Sequence, residues 1–198
     1  LETVEELKTT LEVCNKYIKR VKIPNSIELG YPFDGKADNP YLLPLISKYL
    51  KKFDLNLVVS GDEIQPAKKG LTIKQLYENI EFDDNIFYFD RADYFKELSN
   101  LTKIRNILGL RTAFNTVEKL LNPGTSDYAV NAAFHKPYVA KYNQIFGNNY
   151  KNLIIVKGNE GTPEIFSKCK YWQTIDGKIT EYIIDPEYFG INYKKSMH

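Results

Sequence analysis

Several things are scarce in this chain, and each scarcity excludes something. There are two cysteines, Cys14 and Cys169, and two histidines in 198 residues. Neither a zinc-type ligand spacing nor a disulfide framework can be built from them, and a reduced, cytoplasmic setting is the expectation. No apolar run approaches the roughly 18 residues that a membrane span needs, so no membrane partner is expected. No P-loop and no Ser-His-Asp set is present. Neither sign of charge dominates: 27 Lys+Arg stand against 25 Asp+Glu, a net of +2. A strongly basic tail is thereby excluded, but a local basic patch is not. No secretory leader opens the chain, and its first residue, Leu1 rather than Met, raises the expectation of a trimmed sequence.

What is present is the material of a folded α/β protein, 43% hydrophobic and 14% aromatic. Residues 3–20 read as an amphipathic helix. Thr3 and Glu6 form a T-x-x-E capping box, and Val4, Leu7, Leu11, Cys14 and Ile18 share one face. On that face Cys14 is a small core residue rather than a nucleophile. Strands and helices then alternate. Ile27–Tyr31, Leu55–Val59 and Ile86–Phe89 are strand-like, the middle one continuous in the way buried parallel strands are. Between them lie a helix over 40–53, with Leu42, Leu45, Ile46, Tyr49 and Leu50 in register, and a capped helix over 72–80.

Residues 92–121 break the alternation with consecutive helices, one ended by Gly109 and the next capped by Thr112. A strand over 128–134, a helix from Pro137 to Gly147 and a buried strand over 153–156 follow. Tyr171–Ile184 reads as a hairpin turning at Asp176-Gly177. The expected architecture is a small split helical subdomain (1–20 and 92–121) beside an α/β subdomain (21–91 and 122–198) with a mostly parallel central sheet.

Candidate chemistry collects in loops after strands, where open α/β sheets bind ligands. Asp34-Gly35-Lys36 is either a phosphate or ribose site or a polar turn before a helix. Lys68 and Lys69, with Arg91, Lys194 and Lys195, are either a basic surface for nucleic acid or solvated lysines. Arg105 either holds an anion bidentately or serves a structural ion pair. Glu160 and Glu164 share one loop as candidate Mg²⁺ ligands. His135, between a strand and a helix, reads as structural.

The stretch LGLRTAFNTVEKLLNPG at 108–124 resembles the segment of anthranilate phosphoribosyltransferases that reads like LGIRT-x-FN-x-x-x-x-LLNP. AVNAAFHKPYV and IIDPEYFGI fit the same family. The resemblance covers most of the chain and implies a split helical domain, an α/β domain and a homodimer in the intact protein. It also implies that the family's first helices and last portion lie outside this chain. The family displaces pyrophosphate from phosphoribosyl pyrophosphate with an anthranilate amine, assisted by Mg²⁺.

The matching residues depart from the family at the donor site. Its GTGGD-type loop falls on Gly30, Tyr31, Pro32, Phe33 and Asp34, so bulky residues replace the glycines and one N–H is lost. The KHGNR motif falls on Val59, Ser60, Gly61, Asp62 and Glu63, with two acids where donors would face phosphate. Asn39, Asn115 and Arg105 remain as substrate or anion candidates. YPFDGKADNP, KLLNP and GNEGTPE look like a second branch of the fold, described as glycosyl transferase family proteins. Some of its members are associated with sequence-independent nucleic-acid binding. Two readings follow: a protein without anthranilate activity that binds nucleic acid or another polyanion, or a transferase using a phosphorylated sugar donor with Mg²⁺.

Overall fold

The computed structural model describes residues 2–66 and 68–192. Helix α1 (Val4–Asn15) starts at the expected capping box: Thr3 Oγ1 accepts from the Glu6 N–H, and the Glu6 carboxylate accepts from the Thr3 N–H. Its face of Leu7, Leu11 and Cys14 is buried. The helix stops short of the expected residue 20, because Lys19 leaves it to donate to the Tyr94 carbonyl. Ile18 still packs against the core from beyond the helix end.

Strands β1 (Ser26–Gly30), β2 (Asn56–Gly61) and β3 (Ile86–Asp90) alternate with α2 (Leu43–Lys51) and α3 (Ile73–Asn79). Short helices α4 (Arg91–Tyr94), α5 (Lys96–Asn100), α6 (Thr102–Leu108) and α7 (Phe114–Val117) follow, and Gly109 ends α6 in the left-handed conformation. Then come β4 (Tyr128–Ala132), α8 (Lys136–Phe146), β5 (Asn152–Val156) and the hairpin β6 (Cys169–Ile175) and β7 (Lys178–Ile184). The hairpin turns at Asp176 and Gly177, both at positive φ, as a primed turn requires.

The seven strands form one sheet in the order β3-β2-β1-β4-β5-β6-β7. Pairings from β3 through β5 are parallel, and those to β6 and β7 are antiparallel. One core lies between the sheet and α2 and α3, built on Leu29, Leu43, Leu57, Val59, Ile73 and Leu76. The other joins α1 and α8 to β4 and β5 through Leu7, Leu120, Ala129, Phe146 and Ile155. The chain runs outward from β1 in one direction and later outward from β4 in the other. Between β1 and β4 the order reverses, and their C-terminal ends open the crevice in which such sheets bind ligands.

Candidate functional site

A cavity of about 460 Å³ opens at that crevice. The loop after β1 supplies Pro32, Phe33 and Asp34, and the loop after β4 supplies Phe134 and His135. Arg111, Asn115, Glu118 and Lys119 come from the 111–119 segment, Tyr138 and Tyr142 from α8, and Glu160 and Gly161 from the loop after β5. Lys68 completes the wall. The site is therefore a ring-lined hollow with three cations and several carboxylates, assembled from positions far apart in sequence.

The loop after β1 is filled where a phosphate cradle would be open. Tyr31 and Phe33 are both buried. Tyr31 Oη donates to Glu164 Oε1 at 2.9 Å, and the Phe33 ring lies 4.6 Å from the Arg91 guanidinium carbon. Arg91 in turn donates from Nε to Asp62 Oδ2 at 2.6 Å and pairs with Glu118. The acid at position 62 and the aromatic at position 33 are thus two ends of one construction, with Arg91 between them. Gly30 has no room for a side chain: a Cβ there would sit 2.6 Å from Asn131 Oδ1.

Lys36 points inward. Its ammonium pairs with Glu164, donates to the Pro40 carbonyl at 2.7 Å and lies 4.8 Å from the Phe166 ring centre. Glu164 also accepts from the Leu42 N–H at 2.6 Å. Glu160 accepts from the N–H groups of Ala37 and Asp38 at 2.7 and 3.1 Å and from the Asn39 side chain at 2.9 Å. All four oxygens of Glu160 and Glu164 are engaged by protein donors. A hard cation such as Mg²⁺ needs several oxygens turned toward it, and this pair does not fit one as arranged. Among the described residues there is no group of three or more His, Cys, Asp or Glu able to hold a metal ion.

Other candidate residues fall in different places. Gly35, at φ +77, closes the turn with Gly70, whose carbonyl oxygen would lie 2.4 Å from an added Cβ. Gly61 ends β2. Arg105 is buried, donating to Glu118 at 2.9 and 3.2 Å and to Asn115 Oδ1 at 2.8 Å, so it meets the structural alternative and does not line the cavity. Asn115 does line it and also accepts from the Thr112 N–H, reversing the expected cap.

Burial corrects part of the expected basic surface. Arg91 has no exposed surface and spends its charge on Asp62 and Glu118, so it cannot meet a phosphate backbone. Lys68 turns inward to the Glu160 carbonyl, and Lys69 is exposed. Lys194 and Lys195 lie outside the described residues.

Two further cavity residues, Arg111 and Lys119, lie inside the 108–124 stretch, where the motif marks the family and assigns neither side chain a role. Lys119 is buried, and its ammonium makes one long bond, 3.3 Å to the Ala132 carbonyl. Burial pushes it down to about 8 against the pull of Asp34, with Arg111 lowering it further. Arg111 is exposed along most of its length and pairs with Asp34 Oδ2. Asp34 Oδ1, also buried, has no hydrogen-bond partner. The hollow therefore presents an under-bonded ammonium and an under-bonded carboxylate oxygen together.

The fold and the crevice define an α/β domain of the phosphoribosyltransferase type. The model superposes on an anthranilate phosphoribosyltransferase from Thermus thermophilus with a TM-score of 0.73 at 16% identity, over 98% of this chain and 62% of that one. It superposes on the Saccharomyces cerevisiae anthranilate phosphoribosyltransferase in complex with PRPP and Mg with a TM-score of 0.70 at 15% identity, covering 96% and 57%. In sequence, residues 60–198 match the glycosyl transferase family a/b domain, and the chain belongs to that family. It is 31% identical to an uncharacterized protein of Aquifex aeolicus across its whole length, which is 64% of that protein. It is 30% identical to the anthranilate phosphoribosyltransferase of Caldicellulosiruptor saccharolyticus over 97% of this chain and 62% of that one. The chain thus spans less than two thirds of the length of these relatives.

Proposed function

We propose that the chain binds a small organic anion that also carries a hydroxyl or amine donor, in the cavity between β1 and β4, and does not grip a pyrophosphate at the loop after β1. The observation that carries this reading is the pair of under-bonded opposite charges on two residues that line the cavity, Lys119 Nζ and Asp34 Oδ1. An anionic group of the ligand meets Lys119 and Arg111, its donor meets Asp34, and Phe33, Phe134, Tyr138 and Tyr142 flank its apolar part. Sugar phosphates and aromatic amino-carboxylates share this chemistry, and the names of the relatives include both a phosphoribosyl group and anthranilate. A pyrophosphate finds the opposite: Tyr31, Pro32 and Phe33 fill its cradle, and Glu160 and Glu164 are committed to protein donors.

The test is calorimetric titration of the purified chain with ribose 5-phosphate, anthranilate, phosphoribosyl pyrophosphate with and without Mg²⁺, and a single-stranded oligonucleotide. Saturable binding of one of the first two is expected, independent of Mg²⁺. Lys119→Met or Asp34→Asn should weaken it about tenfold or more, the scale of one charge-assisted hydrogen bond. Because the anion site needs a protonated Lys119, binding should fall as pH rises through about 8. Oligonucleotide binding alone, with steep salt dependence, would replace this reading with the polyanion one. Mg²⁺-dependent binding of phosphoribosyl pyrophosphate that ignores Lys119→Met would return the chain to the ordinary donor chemistry of its relatives.

A further inference from the structure

Among the described residues two lysines are buried, and the fold uses them differently. Lys36 is committed: its ammonium pairs with Glu164 and donates to the Pro40 carbonyl at 2.7 Å, and it does not line the cavity. Lys119 lines the cavity and makes one long bond, to Ala132, although an ammonium carries three donors. The Tyr142 ring of α8 stands 5.7 Å from its Nζ. Asp34 from the loop after β1 and Arg111 and Glu118 from its own segment act on its charge, and His135, Lys68 and Glu160 line the same hollow. Glu118 is committed to Arg91 and Arg105, whereas Asp34 keeps Oδ1 without a partner. Burial lowers both lysines, Lys119 to about 8. A group titrating there is about a tenth neutral at pH 7, whereas an ordinary lysine is neutral in less than about one molecule in a thousand. A desolvated lysine that opens on a cavity is the form in which this side chain acts as a nucleophile toward carbonyl compounds.

We infer that Lys119 is a reactive amine, and that an aldehyde carrying an anionic group condenses with it in the cavity to an imine. Lys119 gives one proton to Asp34 Oδ1, and the freed lone pair forms a C–N bond to the carbonyl carbon while the π pair of the C=O moves to oxygen. That oxygen takes a second proton from the nitrogen. The proton held on Asp34 then passes to the hydroxyl, which leaves as water as the nitrogen lone pair closes the C=N bond. The iminium carries the single positive charge that the ammonium carried, so the charge of the hollow is unchanged. Arg111, with 58% of its side chain exposed, holds the anionic group. The inference rests on the cavity reading for that group alone and adds the covalent bond.

The experiment treats the full native chain with glyoxylate and cyanoborohydride, which fixes the imine as a stable secondary amine, and maps the adducts by digestion and mass spectrometry. Lys119 should be modified about tenfold or more faster than any exposed lysine, the terminal α-amine apart, and Lys36 should stay unmodified. The rate at Lys119 should rise from pH 6 to about 8 and then level off, while exposed lysines go on climbing. Acetaldehyde, which has no anionic group, should lose the preference. Asp34 raises Lys119, so Asp34→Asn should move the levelling-off to lower pH; the native profile decides alone if that variant fails to fold. Modification of Lys119 no faster than that of exposed lysines, or equal modification of Lys36, would overturn the inference. Anion binding in calorimetry without modification of Lys119 would overturn it and leave the cavity reading intact. Modification of Lys119 in a chain that binds neither ribose 5-phosphate nor anthranilate would uphold it and overturn the cavity reading alone.

Discussion

In the middle of β1, Glu28 places a carboxyl inside the fold with the Tyr150 hydroxyl at 2.5 Å and the Asn122 N–H at 3.1 Å. Its side chain is fully buried, and burial pushes the carboxyl up to about 7 against the lowering effect of those two bonds and of Arg20. The alternation of IELG marks a strand and gives no reason to expect a buried acid, because its partners lie 94 and 122 residues away. A carboxyl raised in the folded state binds a proton there that the unfolded chain has already released. Stability therefore falls as pH rises between about 4.5 and 7, and above 7 the folded state carries the full cost of the buried charge. Glu28→Gln keeps an acceptor for Asn122 and a donor for Tyr150 and removes the charge. It should flatten this pH dependence in urea titrations and stabilise the protein at pH 8 by an amount on the order of 3 kcal/mol. An unchanged slope between pH 5 and 7 would assign the dependence to other groups.

Elements were legible where one face or one cap decides them. The capping boxes Thr3/Glu6 and Thr72/Gln75 are both formed, and the continuous apolar run at 55–59 is the buried β2. Where a polar residue anchors a helix, periodicity misled. In α2 the expected face of Leu42, Leu45, Ile46, Tyr49 and Leu50 holds only in part: Ile46 and Leu50 pack on the core, Leu45 and Tyr49 are exposed, and the fully buried positions are Leu43 and Ser47. The Ser47 hydroxyl, on the inward face, donates to Asn85 Oδ1 at 2.6 Å. Tyr49 and Phe53 then pack on each other outside, with ring centres 5.3 Å apart. The caps make a sharper claim. Thr72 is buried, its Oγ1 accepts from the Gln75 N–H at 3.2 Å, and α3 carries Ile73 and Leu76 into the core against β2. Thr72→Ala should cost about 1 kcal/mol in chemical denaturation, whereas Thr10→Ala, at a half-buried position of α1 where the hydroxyl only donates back to the Glu6 carbonyl and caps nothing, should cost clearly less. Equal losses would mean that α3 is held by packing alone.

At the scale of the whole molecule, the departures from the phosphoribosyltransferase pattern were legible in sequence, but what they had been exchanged for was not. The new partnerships join residues 29 apart for Asp62–Arg91 and 128 apart for Lys36–Glu164, and no local pattern announces a contact at such separations. In the structure they make two internal braces. One ties the loops after β1 and β5. The other runs from Asp62 through Arg91 to Glu118 and Arg105, with Thr102 donating to Asp62 at 3.2 Å, and joins β2 to the helical segment. Arg91→Met tests the second brace. Glu118 would keep Arg105, but Asp62 would be left a buried carboxylate without its cation, so the loss should be on the order of 3–5 kcal/mol. Phe33 would lose the guanidinium it packs against, and binding in the cavity should weaken as the loop after β1 loosens. Adding Asp62→Leu to Arg91→Met removes the stranded charge and should restore much of the stability without restoring the Phe33 contact. Stability recovered together with ligand affinity would show that the brace only balances charge; stability recovered without affinity would show that it holds the loop.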